Sequence, residues 1–193
     1  PAAIESIRRA VTDVLLGQAA AVVTNPIAKN VLYRSGFAEP GHTEFLARLA
    51  AEATGQKLRP VMMLWSPEIA VVPVTIHLPL REVVEALTAD LIVETGRIVA
   101  RDLTARFGVA RPRIFVGGLN PHAGEDGLFG REEIEIIQPA IARTAKDGID
   151  ASGPFGAATM LRTKSCDAFI VMLDDPGQIT RKRQGFDRPG GMP

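Results

Sequence analysis

Cysteine is almost absent from the sequence, since Cys166 is the only one among 193 residues. One thiol cannot form a disulfide within the chain, which excludes the small disulfide-bonded secreted domains and favours a reducing cytoplasm. A secretory signal peptide is not recognisable either, and no apolar run is long enough to span a membrane. We therefore expect a cytoplasmic protein that has no membrane partner.

An excess of either charge is also missing, because 22 Lys and Arg residues balance 22 Asp and Glu residues. A balanced chain has no overall field that attracts nucleic acid or an anionic membrane, so small molecules and further copies of the chain are the expected partners. With 46% hydrophobic residues, the chain can bury a core and form one domain or two small ones.

Helical and strand patterns alternate along the chain. Apolar residues at helical spacing predict helices over residues 3–17, 28–36, 42–55, 80–87, 89–108 and 131–148. Apolar runs predict strands over residues 19–24, 61–65, 70–76, 113–118 and 168–173, and Pro73 restricts the third of these to a sheet edge or an irregular stretch. Strands separated by helices indicate a layered α/β fold with a mostly parallel sheet.

Ligands of such folds bind at the carboxyl ends of the strands, which directs attention to the loops that follow them. His77 and His122 lie in two of these loops, and His42 opens a predicted helix. An imidazole there can hold a metal or transfer a proton near neutral pH. A lone loop histidine is more often a surface residue, and His77 fits a structural role near a strand end. Spacing alone does not decide between a metal site and none.

Two neighbouring segments also have simple structural interpretations. Residues 118–127, GLNPHAGEDG, contain turn formers and fit a tight loop in which Asn120 and Asp126 bond their own backbone. Residues 131–135, REEIE, fit the acidic first turn of a helix, where negative charge is favourable.

Four longer segments carry a resemblance to a known family. They read PGHTEFLARLA, TIHLPLREV, GLNPHAGEDGLFGREEIEIIQPAI and GIDASGPFGAATM. Together they resemble the 4-hydroxythreonine-4-phosphate dehydrogenase family of pyridoxal 5'-phosphate biosynthesis, from about residue 4 to residue 173. The resemblance implies a layered α/β/α fold like that of isocitrate and isopropylmalate dehydrogenases. Residues 1–173 would be the incomplete central part of that two-domain fold, and residues 174–193 a divergent, irregular tail.

The resemblance also implies a reaction. The family oxidises the secondary alcohol of 4-phosphooxy-L-threonine with NAD, and the resulting 3-oxo acid loses carbon dioxide to give 3-amino-2-oxopropyl phosphate. A divalent metal such as Zn, Mg or Co polarises the oxygen of the substrate. Three histidines hold this metal at the interface of a homodimer. On this sequence His42 and His122 match the first two, so we expect them to share one cleft that excludes His77.

The match fails at the third ligand, where Asp174 replaces a histidine. A carboxylate binds the same kinds of ion but favours harder ones. The resemblance further implies catalytic roles for Asp175 and Lys182, of which Lys182 also binds substrate, whereas Ala158 and residues 189–191 depart from the family pattern. Three functions remain open: a fragment of this dehydrogenase, a dehydrogenase of another phosphorylated hydroxy acid, or an inactive binding or interaction protein that retains the fold.

Overall fold

A computed structural model describes residues 2–28, 34, 37, 39, 41–67, 69–162 and 165–174. The chain forms two compact units, Pro1–Pro60 and Val61–Pro193. Most of the predicted helix at 28–36 lies outside the described residues, and so does the tail beyond residue 174. In the described part, no helix is both long enough and apolar enough to cross a membrane.

The first unit is built on two helices, α1 (Ala2–Leu15) and α2 (His42–Thr54), both of which the helical spacing predicts. Each helix buries one apolar stripe, and the two stripes form a single core together with Phe37. The rings of Phe37 and Phe45 meet edge to face at 5.1 Å. Gly55 ends α2 in the left-handed conformation, which closes the helix through its N–H bond to Ala51.

The strand predicted at residues 19–24 is wrong. This stretch has no regular structure, and the described residues of the first unit contain no strand with which it could pair. Val22 packs against the helical core while Val23 is 95% exposed. The alternation of one buried and one exposed side chain is that of an extended segment lying on a surface, and three consecutive alanines add little β-propensity.

A five-stranded sheet forms the second unit. Its strands are β1 (Leu64–Ser66), β2 (Ile69–Thr75), β3 (Arg113–Gly117), β4 (Asp150–Phe155) and β5 (Ala168–Leu173), in the order β1-β2-β5-β3-β4. Among the described strands, the β1–β2 pair alone is antiparallel. The predicted mixed α/β fold with a mostly parallel sheet is therefore confirmed.

Side chains alternate between two apolar layers along the central strands. Val72, Ile114 and Ile170 face the larger core, which also contains residues of the helices α4 (Ala89–Phe107) and α5 (Gln138–Lys146). Phe169 and Val171 face a smaller core on the opposite side, which contacts the short helix α6 (Ala157–Arg162). The described part of this unit is thus layered, with helices on both faces of the sheet.

Pro73 does not place β2 at the edge of the sheet, so that prediction is wrong. The strand lies between β1 and β5, and all seven of its residues are buried. Its pairing with β1 extends only as far as Val71, whereas its pairing with β5 continues to Thr75. Proline is tolerated because β5 is the one hydrogen-bonded neighbour of β2 at that point among the described strands, which is the local equivalent of an edge.

The four parallel strands end at the same edge of the sheet, and this edge positions the candidate site. In the second unit, His77 follows β2, Asp174 follows β5, and the loop that contains His122 follows β3. Helix α3 (Leu80–Ala86) begins three residues after His77. The strand order places these three exits side by side in the sequence β2, β5, β3.

Candidate functional site

The loop after β3 contains a left-handed helical turn. Residues 122–126 all have positive φ, from 40° at Glu125 to 80° at Gly124, and Gly127 continues at 94°. We call residues 122–127 the left-handed segment. Each L-residue in this conformation costs about 1–2 kcal/mol, and four of the six residues are not glycine. Such a segment persists only where its surroundings determine it.

The buried carboxylate of Glu133 holds the backbone directly before that segment. Its Oε1 accepts the backbone N–H groups of Leu119 and Asn120, both at 2.7 Å, and its Oε2 accepts the side-chain amide of Asn120 at 2.9 Å. Only 2% of Glu133 is exposed. A buried carboxylate is tolerated here because N–H donors replace the water that it loses.

Glu132 binds the same amide from the neighbouring position. Asn120 Nδ2 donates to Glu132 Oε2 at 2.6 Å. The pKa of Glu132 is lowered, chiefly because its carboxylate accepts its own backbone N–H and secondarily because it accepts the Asn120 amide. The Asn120 side chain therefore links two carboxylates, and the expectation that it bonds its own backbone is wrong.

Three glycines allow the loop to fold closely around these groups. A Cβ on Gly118 would lie 3.0 Å from Glu133 Oε1, and one on Gly124 would lie 2.6 Å from Glu133 Oε2. A Cβ on Gly130 would collide with the Asn120 amide and the Glu132 carboxylate. The backbone thus approaches both carboxylates at positions where any side chain would have to displace them.

Glu133 starts a π-helical turn, Glu133–Ile137, that continues directly into α5. The N–H of Gln138 bonds to the carbonyl of Glu133, five residues earlier. The next residue, Pro139, has no N–H to donate and would disturb an ordinary α-helical turn. The wider turn accommodates the proline, and π-turns of this kind occur frequently at functional sites.

His122 stands on this loop with its side chain exposed. Its ring lies 6.1 Å from that of Phe129, at an angle of 40°. Its Cα lies 4.0 Å from where a Cβ would stand on Gly156, the residue directly after β4. The imidazole is therefore held above the strand ends and is open to a ligand.

His77 and Asp174 occupy the neighbouring strand exits. His77 is exposed and has a φ of 57°, close to the 54° of His122, and Asp174 is half-buried. Among the residues that the structure describes, no three His, Cys, Asp or Glu side chains are grouped closely enough to hold a metal ion. Asp175 and Lys182, the two predicted catalytic residues, lie outside the described part of the chain.

His42 lies in the first unit, as the first residue of α2. Its Nε2 is buried and has no hydrogen-bond partner among the described residues. The side chain lines a pocket of about 260 Å³ together with Ser6, Thr24 and Asn25. A buried imidazole nitrogen without a partner is uncommon and suits coordination of a ligand. Because His42 and His122 belong to different units, their shared cleft stays a prediction.

The role of Glu133 was not predicted, although the sequence contains the signal. The buried residues of the helix are Glu133, Ile137, Ala140, Ile141 and Thr144. Their spacing places Glu133 on the apolar face, whereas its neighbours Glu132 and Glu135 fall beside or opposite that face. A carboxylate on a buried stripe indicates a specific polar partner.

Comparison with known proteins shows what the chain resembles. A family model described as pyridoxal phosphate biosynthetic protein PdxA matches residues 1–189. The 4-hydroxythreonine-4-phosphate dehydrogenase of Bradyrhizobium diazoefficiens is 59% identical over 97% of this chain, and a protein of the same name from Methylorubrum extorquens is 51% identical over 96%.

Solved structures agree with these sequences. A 4-hydroxythreonine-4-phosphate dehydrogenase from Klebsiella pneumoniae superposes with a TM-score of 0.85, at 39% identity over 95% of this chain. A terephthalate 1,2-cis-dihydrodiol dehydrogenase from Burkholderia xenovorans gives 0.73, at 28% identity over 92%. The chain spans about half the length of these relatives, namely 55% and 54% of the two curated proteins and 54% and 55% of the two structures.

Proposed function

Because the chain belongs to the PdxA family of pyridoxal phosphate biosynthetic proteins, we propose that it acts as a 4-hydroxythreonine-4-phosphate dehydrogenase, an oxidoreductase. Its substrate is 4-phosphooxy-L-threonine, and its product is 3-amino-2-oxopropyl phosphate. The family match over residues 1–189, which includes His42 and His122, is the observation that carries this proposal.

The proposed reaction has two steps. Oxidation removes a hydride from the carbon that bears the alcohol and a proton from its oxygen, which leaves a 3-oxo acid. The bond to the carboxylate then breaks, carbon dioxide leaves, the electron pair moves toward the ketone, and the carbon that held the carboxylate takes up a proton to give the product. When bound, NAD accepts the hydride, and a divalent ion withdraws electron density from the substrate oxygen.

His42, His122 and Asp174 would hold the divalent ion. The Nε2 of His42, which has no hydrogen-bond partner among the described residues, the open imidazole of His122 and the carboxylate of Asp174 would supply two nitrogen ligands and one oxygen ligand. Such a mixed set suits Zn or Co and, through the carboxylate, Mg. Glu133 keeps the His122 loop in place, and the ammonium group of Lys182 would bind the anionic substrate. Asp175 would be the second catalytic residue.

The assembly and the cellular location are part of the same proposal. A homodimer would complete the metal site at its interface, and the cytoplasm would supply NAD and a reducing environment for Cys166. Balanced charge gives no reason to add nucleic acid or membrane as a partner.

A second candidate is a dehydrogenase of another hydroxylated acid. The similarity to a terephthalate 1,2-cis-dihydrodiol dehydrogenase favours it, since that protein oxidises a different substrate on the same fold. Asp174 in place of a histidine also fits a change in chemistry at the strand ends.

Bound metal and NADH formation, measured separately on the 193-residue chain, test the proposal. We expect the parent protein to bind Zn²⁺ and to reduce NAD when 4-phosphooxy-L-threonine is supplied, and His122→Ala to lose both. His77→Ala is the matched control, because both histidines are exposed and have nearly the same φ, so the backbone cost is shared. The control should keep both properties.

The other outcomes separate the remaining functions. NADH formation with another hydroxy acid but not with 4-phosphooxy-L-threonine would favour the second candidate. No NADH with any substrate would indicate an inactive binding or interaction protein, and equal metal content in all three proteins would overturn the role of His122.

A further inference from the structure

We propose that Glu133 is a positioning residue that sets the location of the His122 imidazole through the left-handed segment. The inference rests on the proposed function in one respect, namely that His122 is a metal ligand. Glu133 itself would touch neither metal nor substrate, and its effect would pass through the backbone.

The contacts of Glu133 lie on both sides of His122 along the chain. Oε1 accepts the N–H groups of Leu119 and Asn120, which precede the left-handed segment. Oε2 lies against Gly124, where a Cβ would stand 2.6 Å away. One carboxylate therefore holds the backbone by hydrogen bonds two and three residues before His122. Two residues after His122, the same carboxylate leaves no room for a side chain. His122 is the middle of the three residues between these two attachments.

The core gives no other reason for a carboxylate at this position. The same helix face continues with Ile137, Ala140 and Ile141, which pack in the larger apolar core. The hydrogen-bond partners of Glu133 among the described residues are N–H groups of the loop rather than a cation. An apolar side chain would bury without the cost of desolvating a charge, so the carboxylate serves the loop.

The left-handed segment needs this help because its own residue types do not favour it. Ala123 and Glu125 have positive φ although neither is an Asn or a Gly, the types that adopt this conformation readily. Within the segment, the N–H of Ala123 bonds to the carbonyl of Asn120, whose own N–H is held by Glu133. The hydrogen bonds thus form a chain from Glu133 to the start of the segment.

Three variants test the proposal on the full chain. Glu133→Ala removes every contact of the carboxylate. Glu133→Gln keeps an acceptor for the two backbone N–H groups but places an NH₂ opposite the Asn120 amide. This variant still allows the test if the alanine variant does not fold. Glu135→Gln is the control, because Glu135 lies two residues further along the same turn, is 58% exposed and pairs only with Arg131 among the described residues.

Two measurements need no metal. Amide hydrogen exchange at Leu119 and Asn120 reports the contact, and NMR signals of the His122 imidazole report its position. The third measurement is Co²⁺ affinity with its absorption spectrum. We expect parent and Glu135→Gln to agree, Glu133→Gln to exchange faster and to shift the His122 signals, and Glu133→Ala to change most. Co²⁺ affinity should fall about 10- to 100-fold in Glu133→Ala, the usual effect of losing a group that orients a ligand.

A folded Glu133→Gln or Glu133→Ala protein with unchanged His122 signals would overturn the proposal, even if its melting temperature fell, because the role would then be purely structural. If the parent binds no Co²⁺, the metal part of the proposed function fails instead. The exchange and imidazole measurements still decide whether Glu133 positions His122.

Discussion

Asp174 is the proposed metal ligand that stands where the family resemblance implies a histidine. It directly follows β5, between the exits that carry His77 and His122, and it is half-buried. A carboxylate differs from an imidazole in charge and hardness, so it lowers the net charge of the site by one when a metal binds. Metal choice is therefore the property that should respond first to its replacement.

Asp174→His should raise Zn²⁺ affinity and weaken Mg²⁺ binding, since imidazole is the softer ligand. We expect a change of about tenfold or more, the range in which groups at metal sites act. Titration calorimetry with both ions measures it. Asp174→Asn is the companion variant, because it keeps the shape but removes the charge and should lower both affinities. Identical Zn²⁺ affinity in all three proteins would exclude Asp174 as a ligand.

Cys166 should react slowly with alkylating reagents at neutral pH. Burial, and secondarily the charge of Asp167, raise the pKa of its thiol from 9.0 to about 11. The reactive thiolate is therefore scarce below this value, and the rate should rise about tenfold per pH unit up to about pH 11. Mass spectrometry after iodoacetamide treatment follows the single thiol.

The same shift affects stability at high pH. Because the folded pKa is the higher one, the unfolded chain loses its proton first as the pH rises above about 9, and folding then becomes less favourable. The control for the alkylation experiment is the chain unfolded in denaturant. Its alkylation rate should follow the unshifted thiol pKa of 9.0. A folded protein whose rate levels off near pH 9 would contradict the shift.

Among the elements, the left-handed segment combines two separate constraints. One is conformational, because positive φ is costly for any residue except glycine. The other is spatial, because the segment lies against the Glu133 carboxylate. Two glycines of the second unit allow these constraints to be separated, since Gly124 and Gly148 have φ values of 80° and 81° but different surroundings.

Gly124→Ala should destabilise the protein more than Gly148→Ala. No atom of the described residues lies within 4 Å of a Cβ on Gly148, so we expect that variant to carry only the conformational cost of about 1–2 kcal/mol. Gly124→Ala adds a collision with Glu133 Oε2, which we expect to cost about 1–3 kcal/mol more. Urea unfolding followed by Trp65 fluorescence reports the second unit. Equal losses would mean that the loop and the carboxylate are not in close contact.

The elements also show how far sequence reasoning reaches here. Helix α4 was predicted almost to the residue, because Thr88 caps its start by accepting the N–H of Leu91 and Gly108 ends it in the left-handed conformation. Strand β4 was not predicted, since Gly153 and Pro154 argue against a strand; it is an edge strand, where proline is tolerated.

The site was predicted in part, for a physical reason. The predicted strand at residues 113–118 and the loop after it placed His122 at a strand exit, which the structure confirms. The left-handed conformation of Ala123 and Glu125 was not predictable from residue type, because neither residue favours it alone and the loop lies against Glu133, which comes eight to ten residues later in the chain. Conformational propensity describes each residue type by itself, whereas this conformation depends on a contact that forms only when the chain folds.

At the scale of the whole molecule, the sheet leaves an apolar edge. Trp65 on the edge strand β1 is 52% exposed, and its ring lies 6.1 Å from that of Phe107, which is 46% exposed. Strand β1 has only β2 as a neighbour among the described strands. An exposed strand edge beside two aromatic rings is a surface on which a second chain can pair.

We expect a homodimer that uses this edge. Light scattering at low micromolar concentration should give a mass well above 20.7 kDa, close to twice that value. Trp65→Glu should shift the mass toward the monomer because it places a charge on the contact. Its circular dichroism should match that of the parent, which separates lost association from lost folding. A parent protein whose light-scattering mass is only 20.7 kDa would contradict the prediction.

Solvent exposure is a poor guide to which positions of this chain tolerate mutation. Glu125 and Asp126 are exposed, so an ordinary rule would treat them as freely variable surface positions. Their positive φ makes valine, isoleucine or threonine there more damaging than many exchanges of one apolar residue for another in the sheet. A mutational scan should therefore find a small group of exposed positions that accept few substitutions. The backbone conformation limits the residue types there, rather than a contact with solvent or ligand.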